Sequence, residues 1–129
     1  EEKPHEGHHQ TGTYSSPSAI TDGQHVFAHF GSRGLYCYDL GGKLQWSQDL
    51  GDLRIVMGFG EGNSPALYRD TVVVNFDHED GSFITALDKK TGKTLWKETR
   101  DERTSWATPL IVLHDGKQRF VTMNNRCNV

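Results

Sequence analysis

The chain has 129 residues, enough for one domain with a single core, and it is modestly apolar at 34% hydrophobic against 24% charged. A formal charge of −3, with Lys and Arg scattered among Asp and Glu, leaves no basic face for nucleic acid. No apolar run approaches the roughly 18 residues a spanning helix needs, so no membrane span is expected.

The sequence begins without Met and without a signal-peptide pattern, which reads as a chain processed or cut from something longer. Its first residues, HEGHHQ, hold His5, His8 and His9 with Glu2 and Glu6 close by. Imidazoles beside carboxylates suit zinc, copper or nickel, which makes the three histidines candidate metal ligands. The spacing is not that of a helical HExxH site and no apolar pattern holds it in place, so the same stretch also reads as a polar connector.

From there short β-rich runs follow one another: SAIT (18–21), HVFAHF (25–30), GLYCYDL (34–40) and KLQWSQDL (43–50). After a Gly-rich connection come PALYRD (65–70), TVVVNFD (71–77), SFITALD (82–88) and KTLWKETR (93–100), and then ATPLIVLHD (107–115) and QRFVTMN (118–124). No i, i+3, i+4, i+7 stripe is sustained anywhere. Asp22-Gly23, Gly41-Gly42, Thr91-Gly92 and Asp115-Gly116 fall between runs, where a reversal needs a residue tolerant of positive φ. His25 and His29 alternate with apolar residues and read as sheet-face side chains. The turn DHED (77–80) offers a cluster of acids for a cation, yet reads first as an acidic hairpin turn. Cys37 lies in a strand pattern, as buried free thiols do, and Cys127 lies near the end; their spacing indicates neither a disulfide framework nor a metal knuckle.

The runs repeat. Pro17, Pro65 and Pro109 precede equivalent runs and stand 48 and 44 residues apart, Asp39 and Asp88 are 49 apart, and Trp46 and Trp96 are 50 apart. Four strands per unit at a period of about 40–50 residues is the pattern of propeller blades. The fold class expected is therefore all-β, with blades of four antiparallel strands: a connector over 1–12, blades over 13–51 and 52–100, and the first half of a third over 101–129. Proline at the start of a strand gives up an N–H that the position tolerates losing. Asp88 can accept turn amides, Gly92 supplies the backbone angle, and Trp96 can cover a neighbouring sheet while its indole N–H finds a carbonyl.

The segment Ala86-x-Asp88-x-x-Thr91-Gly92-Lys93-x-x-Trp96 resembles the tryptophan-docking motif of quinoprotein-like (PQQ-like) β-propellers, and YDLGGKLQW (38–46) is similar, with its turn one residue shorter. The resemblance runs from Thr13 to Met123, and similar repeat proteins are common in environmental bacteria. It implies a closed ring, usually of eight blades, of which this chain supplies about two and a half. An open segment exposes blade faces and an edge strand, so the partners expected are copies of itself or the remaining blades of a longer chain. The resemblance also implies a periplasmic or extracellular location.

Dehydrogenases of the family carry pyrroloquinoline quinone and calcium, with an adjacent Cys-Cys pair and an acidic calcium site. This chain matches neither feature, and most PQQ-like repeat proteins need no cofactor, so bound quinone is not carried over. Better ligand candidates lie where each first strand begins, in TYSSP (13–17), EGNSP (61–65) and SWATP (105–109). In propellers that strand lines the channel, and loops at one mouth bind ligands. Tyr14, Glu61, Asn63 and Trp106 are the side chains there that would grip a protein or small molecule; otherwise these stretches are packing. No GxSxG elbow or phosphate-cradling loop is present. The leading expectation is a non-catalytic scaffold or binding segment. The alternatives are a hydrolase-like, metal-dependent enzyme using His5, His8 and His9 with Glu61 or His78, and a fragment of a quinone-dependent dehydrogenase.

Overall fold

The computed structural model describes residues 3–5 and 7–121, with side chains described as far as Lys117; Glu2, Glu6, Met123 and Cys127 lie outside the described residues. Those residues form ten strands, two short 3-10 turns and no α-helix. β1 (Ile20–Thr21), β2 (His25–His29), β3 (Leu35–Asp39) and β4 (Leu44–Gln48) make one antiparallel sheet in sequence order. β5 (Ala66–Tyr68), β6 (Thr71–Phe76), β7 (Phe83–Asp88) and β8 (Thr94–Thr99) repeat it, and β9 (Leu110–His114) pairs with β10 (Lys117–Val121). Each apolar run of the sequence thus carries one strand. The fold is all-β, built of four-stranded antiparallel sheets of propeller type.

β1 is shorter than its run, and the reason is local. The Ser18 amide donates to Ser64 Oγ at 2.8 Å, which ties the start of that run to the next sheet. Pro65 and Pro109, both buried, immediately precede β5 and β9, where a missing N–H is harmless.

The two-residue alternation of each strand sorts its side chains between faces. Register pairs Phe27 with Cys37 and His29 with Leu35, and these four turn toward the second sheet. There they meet Val72, Val74, Phe76, Phe83 and Leu87, with Leu53 and Ile55 of the connector closing the cluster. Fully burying such a Phe or Leu contributes about 1.5–3 kcal/mol each. The opposite face of the second sheet, with Val73, Ile84, Ala86 and Trp96, packs on Ile111 of β9. The opposite face of the first sheet carries Val26, Ala28, Tyr36 and Tyr38, all half-buried.

At one end of the sheets the first tryptophan is docked on the second turn. Trp46 Nε1 donates to the Lys89 carbonyl at 2.9 Å, and its ring lies so close to Gly92 that an added Cβ would sit 2.7 Å from it. The Lys89 ammonium reaches Asp22 at 3.2 Å and Asp70 at 3.5 Å, clamping the β1–β2 turn to the neighbouring sheet. The turn itself is held by Asp88, whose carboxyl lies below the usual carboxylate range because it accepts from the Thr91 amide and hydroxyl and the Lys90 amide. Asp39 plays the same part in the first turn, accepting from the amides of Gly41 and Lys43.

Candidate functional site

The antiparallel meander sends the β2–β3 turn, the connector over 49–60 and the lead-ins to β1, β5 and β9 to the end opposite the tryptophan. β5 lies beside both β1 and β9, so the three lead-ins converge at that end. It is the candidate mouth.

Most carboxylates there already hold protein donors. Glu61 reaches across to the 3-10 turn Gly31–Arg33: one oxygen accepts the Ser32 amide at 2.8 Å, and the other accepts the Ser32 hydroxyl. The approach needs glycine, since a Cβ on Gly31 would collide with the Glu61 side chain. Ser32 Oγ in turn accepts the Leu53 amide at 2.7 Å. The device recurs one step further on. Glu79 accepts the Thr104 hydroxyl at 2.7 Å and its amide at 3.1 Å, and Thr104 Oγ1 accepts the Val56 amide at 2.9 Å. The Thr104 hydroxyl, foremost, holds the Glu79 carboxyl below the usual carboxylate range. The connector is thus gripped from both sides by hydroxyls, each braced by a glutamate.

The DHED turn is similarly occupied. Arg100 forks onto buried Asp77 at 2.8 and 3.2 Å, and the Asn75 amide donates to the same carboxylate at 2.8 Å. His78 Nδ1 accepts the Arg54 amide at 3.3 Å, and the Arg54 guanidinium forks onto Asp80 at 2.6 Å. These acids serve as pins between turn and connector.

Asn63, named from the sequence as a ligand-gripping residue, is buried in the wall between the two sheets. Its Nδ2 donates to the Asn75 carbonyl, and its own carbonyl accepts from His29 Nδ1 at 3.1 Å. A carbonyl only accepts, so His29 carries its proton on Nδ1. Its Nε2 is buried without a hydrogen-bond partner, as is Asn75 Oδ1. Burial holds the His29 pKa below 6.5. Trp106 lies over Gly62 with Nε1 donating to the Gly60 carbonyl at 2.8 Å, and the ring is 45% exposed.

The three N-terminal histidines point to different places. His5 Nδ1 is 3.8 Å from Asp52; His8 meets the Tyr14 ring edge-on at 4.5 Å and its Nδ1 lies 2.7 Å from the His9 carbonyl; His9 packs edge-on against Phe59 and bonds Thr11. Among the described residues no three His, Cys, Asp or Glu side chains converge on one point.

What does open at this end is a cavity of about 570 Å³ between the N-terminal segment and the free face of the first sheet. Tyr14 and Glu61 line it together with His5, and so do Phe30, Arg33 and Tyr36, none of which was singled out in the sequence. Their signal was present but faint: in GLYCYDL the two tyrosines alternate with Leu35 and Cys37 and so face the other way. Asn63 and Trp106 are not part of its lining.

A family model described as outer membrane protein assembly factor BamB matches residues 4–126. The chain belongs to that family. Among solved structures, this BamB-family chain is similar to a europium-containing methanol dehydrogenase, with a TM-score of 0.53 and 19% identity over 64% of this chain. The likeness shows the shared propeller-type fold, and the chain spans 15% of the length of that structure. In all, 22 chains of solved structures match it. No curated protein does.

Proposed function

We propose that the chain is a non-catalytic segment of a multi-blade β-propeller, a scaffold whose open faces are completed by further blades and whose mouth binds a ligand or partner. Its blades run over 13–51 and 52–100, with the start of a third over 101–129. The observation that carries this reading is the inequality of two equivalent turns. At Gly92 the indole of Trp46 fills the space above the backbone, whereas at Gly42 an added Cβ would meet nothing within 4 Å. The first turn is built like the second, with Asp39 collecting amides as Asp88 does, yet its seat is open. A preceding blade with the same motif supplies the tryptophan that fits it. The engagement of Glu61 and the DHED acids by protein donors also favours a scaffold over acid–base catalysis. The description of the family by an outer-membrane assembly factor favours a location outside the cytoplasm.

Sedimentation velocity over a wide concentration range tests the reading. Concentration-dependent association of this chain, or of this chain with a preceding blade supplied separately, is the expected result. A monomer at every concentration that unfolds cooperatively by itself and ignores an added blade would sink it.

A further inference from the structure

A run of buried hydrogen bonds crosses the second sheet near the mouth. His29 Nδ1 donates to the Asn63 carbonyl at 3.1 Å, Asn63 Nδ2 donates to the Asn75 carbonyl, and Asn75 Nδ2 donates to Asp77 Oδ2 at 2.8 Å. Arg100 closes the run by forking onto Asp77. His29, Asn63, Asn75 and Asp77 are all 3% exposed or less. The run starts on one face of the sheet and ends on the other. His29 meets Phe76, on the face toward the first sheet. Asn75 stands opposite Ile84 and two residues from Val73, on the face that packs on β9.

Asn63 and Asn75 each enter the run twice, through a backbone carbonyl and through a side-chain amide, so displacing either residue moves both of its bonds. Hydrogen bonds linked in this way reinforce one another in a low-dielectric interior. At one end stands an imidazole, the side chain whose charge changes between about pH 5 and 8, and at the other a buried ion pair. A second proton makes both ring nitrogens donors and turns the bond to the Asn63 carbonyl into a shorter, charge-assisted one. Burial delays that proton until the pH is below 6.5.

The ionisable groups on the elements around the ring are engaged elsewhere. Cys37 of β3 stays a neutral thiol, pushed up to about 11 by burial. Glu61 of the lead-in accepts from Ser32; on the connector, Asp49 accepts the Gly51 amide and Asp52 approaches His5. His78, against Phe76, accepts the Arg54 amide, and Arg54 forks onto Asp80. On β2 itself, His25 lies 3.5 Å from Asp22.

We propose that this run couples the two faces of the second sheet, so that a proton taken up at His29 displaces Asn63 and is felt at the Asp77–Arg100 pair. The coupling makes the lead-in over 61–65 respond to mild acid. It lies wholly within the described residues and holds whether or not further blades complete the ring.

The test follows the whole chain by heteronuclear NMR from about pH 7.5 to about pH 5, the range in which an imidazole titrates. The His29 ring, the Asn75 side-chain amide and the Arg100 Nε–H are read, with the Trp46 indole N–H as the reporter at the opposite end. The Asn75 and Arg100 signals are expected to shift with the His29 midpoint while Trp46 stays in place. His29→Gln keeps a donor for Asn63 but does not titrate, and is expected to abolish the Arg100 shift. Asn63→Ala, or Asn63→Ser should that variant unfold, is expected to leave the His29 titration in place and uncouple Arg100 from it. Should the chain unfold before His29 titrates, a urea double-mutant cycle of His29→Leu and Asp77→Asn replaces the titration. It is expected to depart from additivity by about threefold or more in the unfolding constant, beyond the scatter of independent sites. The proposal is overturned by an Arg100 signal that ignores the His29 midpoint, by one that follows the same midpoint in His29→Gln or the Asn63 variant, or by an additive cycle.

Discussion

Two residues show how buried polar side chains set conditions on stability. His29 is 2% exposed and donates to a backbone carbonyl, so the folded state favours the neutral ring. Burial, partly opposed by the Asn63 carbonyl, lowers its pKa from 6.5. The unfolded chain then takes up a proton that the folded chain refuses. The stability from His29 is complete above about pH 6.5 and is lost as the pH falls toward the folded-state value. Urea midpoints measured from about pH 7.5 down to about pH 5 should fall, and the fall should be shallower in His29→Gln. Asp77 presents the charged counterpart, since its side chain is fully buried and Arg100 answers it. Removing the cation by Arg100→Leu strands a buried carboxylate and should cost about 3–5 kcal/mol in urea unfolding. Adding Asp77→Asn to that variant should recover part of the loss.

Among elements, the tryptophan seat is where one blade recognises the next. Gly92 and Gly42 both hold left-handed φ, +71° and +82°, so alanine at either pays the backbone penalty of about 1–2 kcal/mol. Only Gly92→Ala also drives a methyl into the Trp46 ring, which should add about 1–3 kcal/mol. Urea unfolding of the two variants side by side isolates the docking contact, and equal losses would show that the indole yields without cost. The glutamate-braced hydroxyls act at the other end of the same elements. Ser32 and Thr104 hand acceptors to amides of the connector, which has no strand partner to satisfy them. That lets Leu53 and Ile55 be buried within a long connection that is otherwise largely exposed.

For the whole molecule, the open space over Gly42 and the half-buried outer face of the first sheet are the places that the proposed multi-blade ring would cover. A lone four-stranded sheet has two faces to bury and only neighbouring repeats to bury them. The second sheet is sandwiched, with Val73 and Ala86 on one side and Val72 and Leu87 on the other all buried; the first has one such neighbour among the described residues. Strand positions were legible because alternation, prolines and turn glycines are local signals repeated in phase, and the two docking motifs named their own spacing. The site was less legible. Tyr14 and Glu61 do line the cavity, but Asn63 turned inward, because its partners His29 and Asn75 come from other strands and are invisible in its own segment. Arg33 and Tyr36 went unremarked because an arginine in a turn and a tyrosine in a strand are ordinary until the N-terminal segment folds over them.

By itself the sequence determined the blade: its period, its four strands and its docking turn, all of which rest on contacts within some fifty residues. Only the tertiary structure decided which acids are occupied. Hydrogen bonds such as Glu61 to Ser32 and Thr104 to Val56 join residues 29 and 48 positions apart, and no local pattern records who meets whom across that distance.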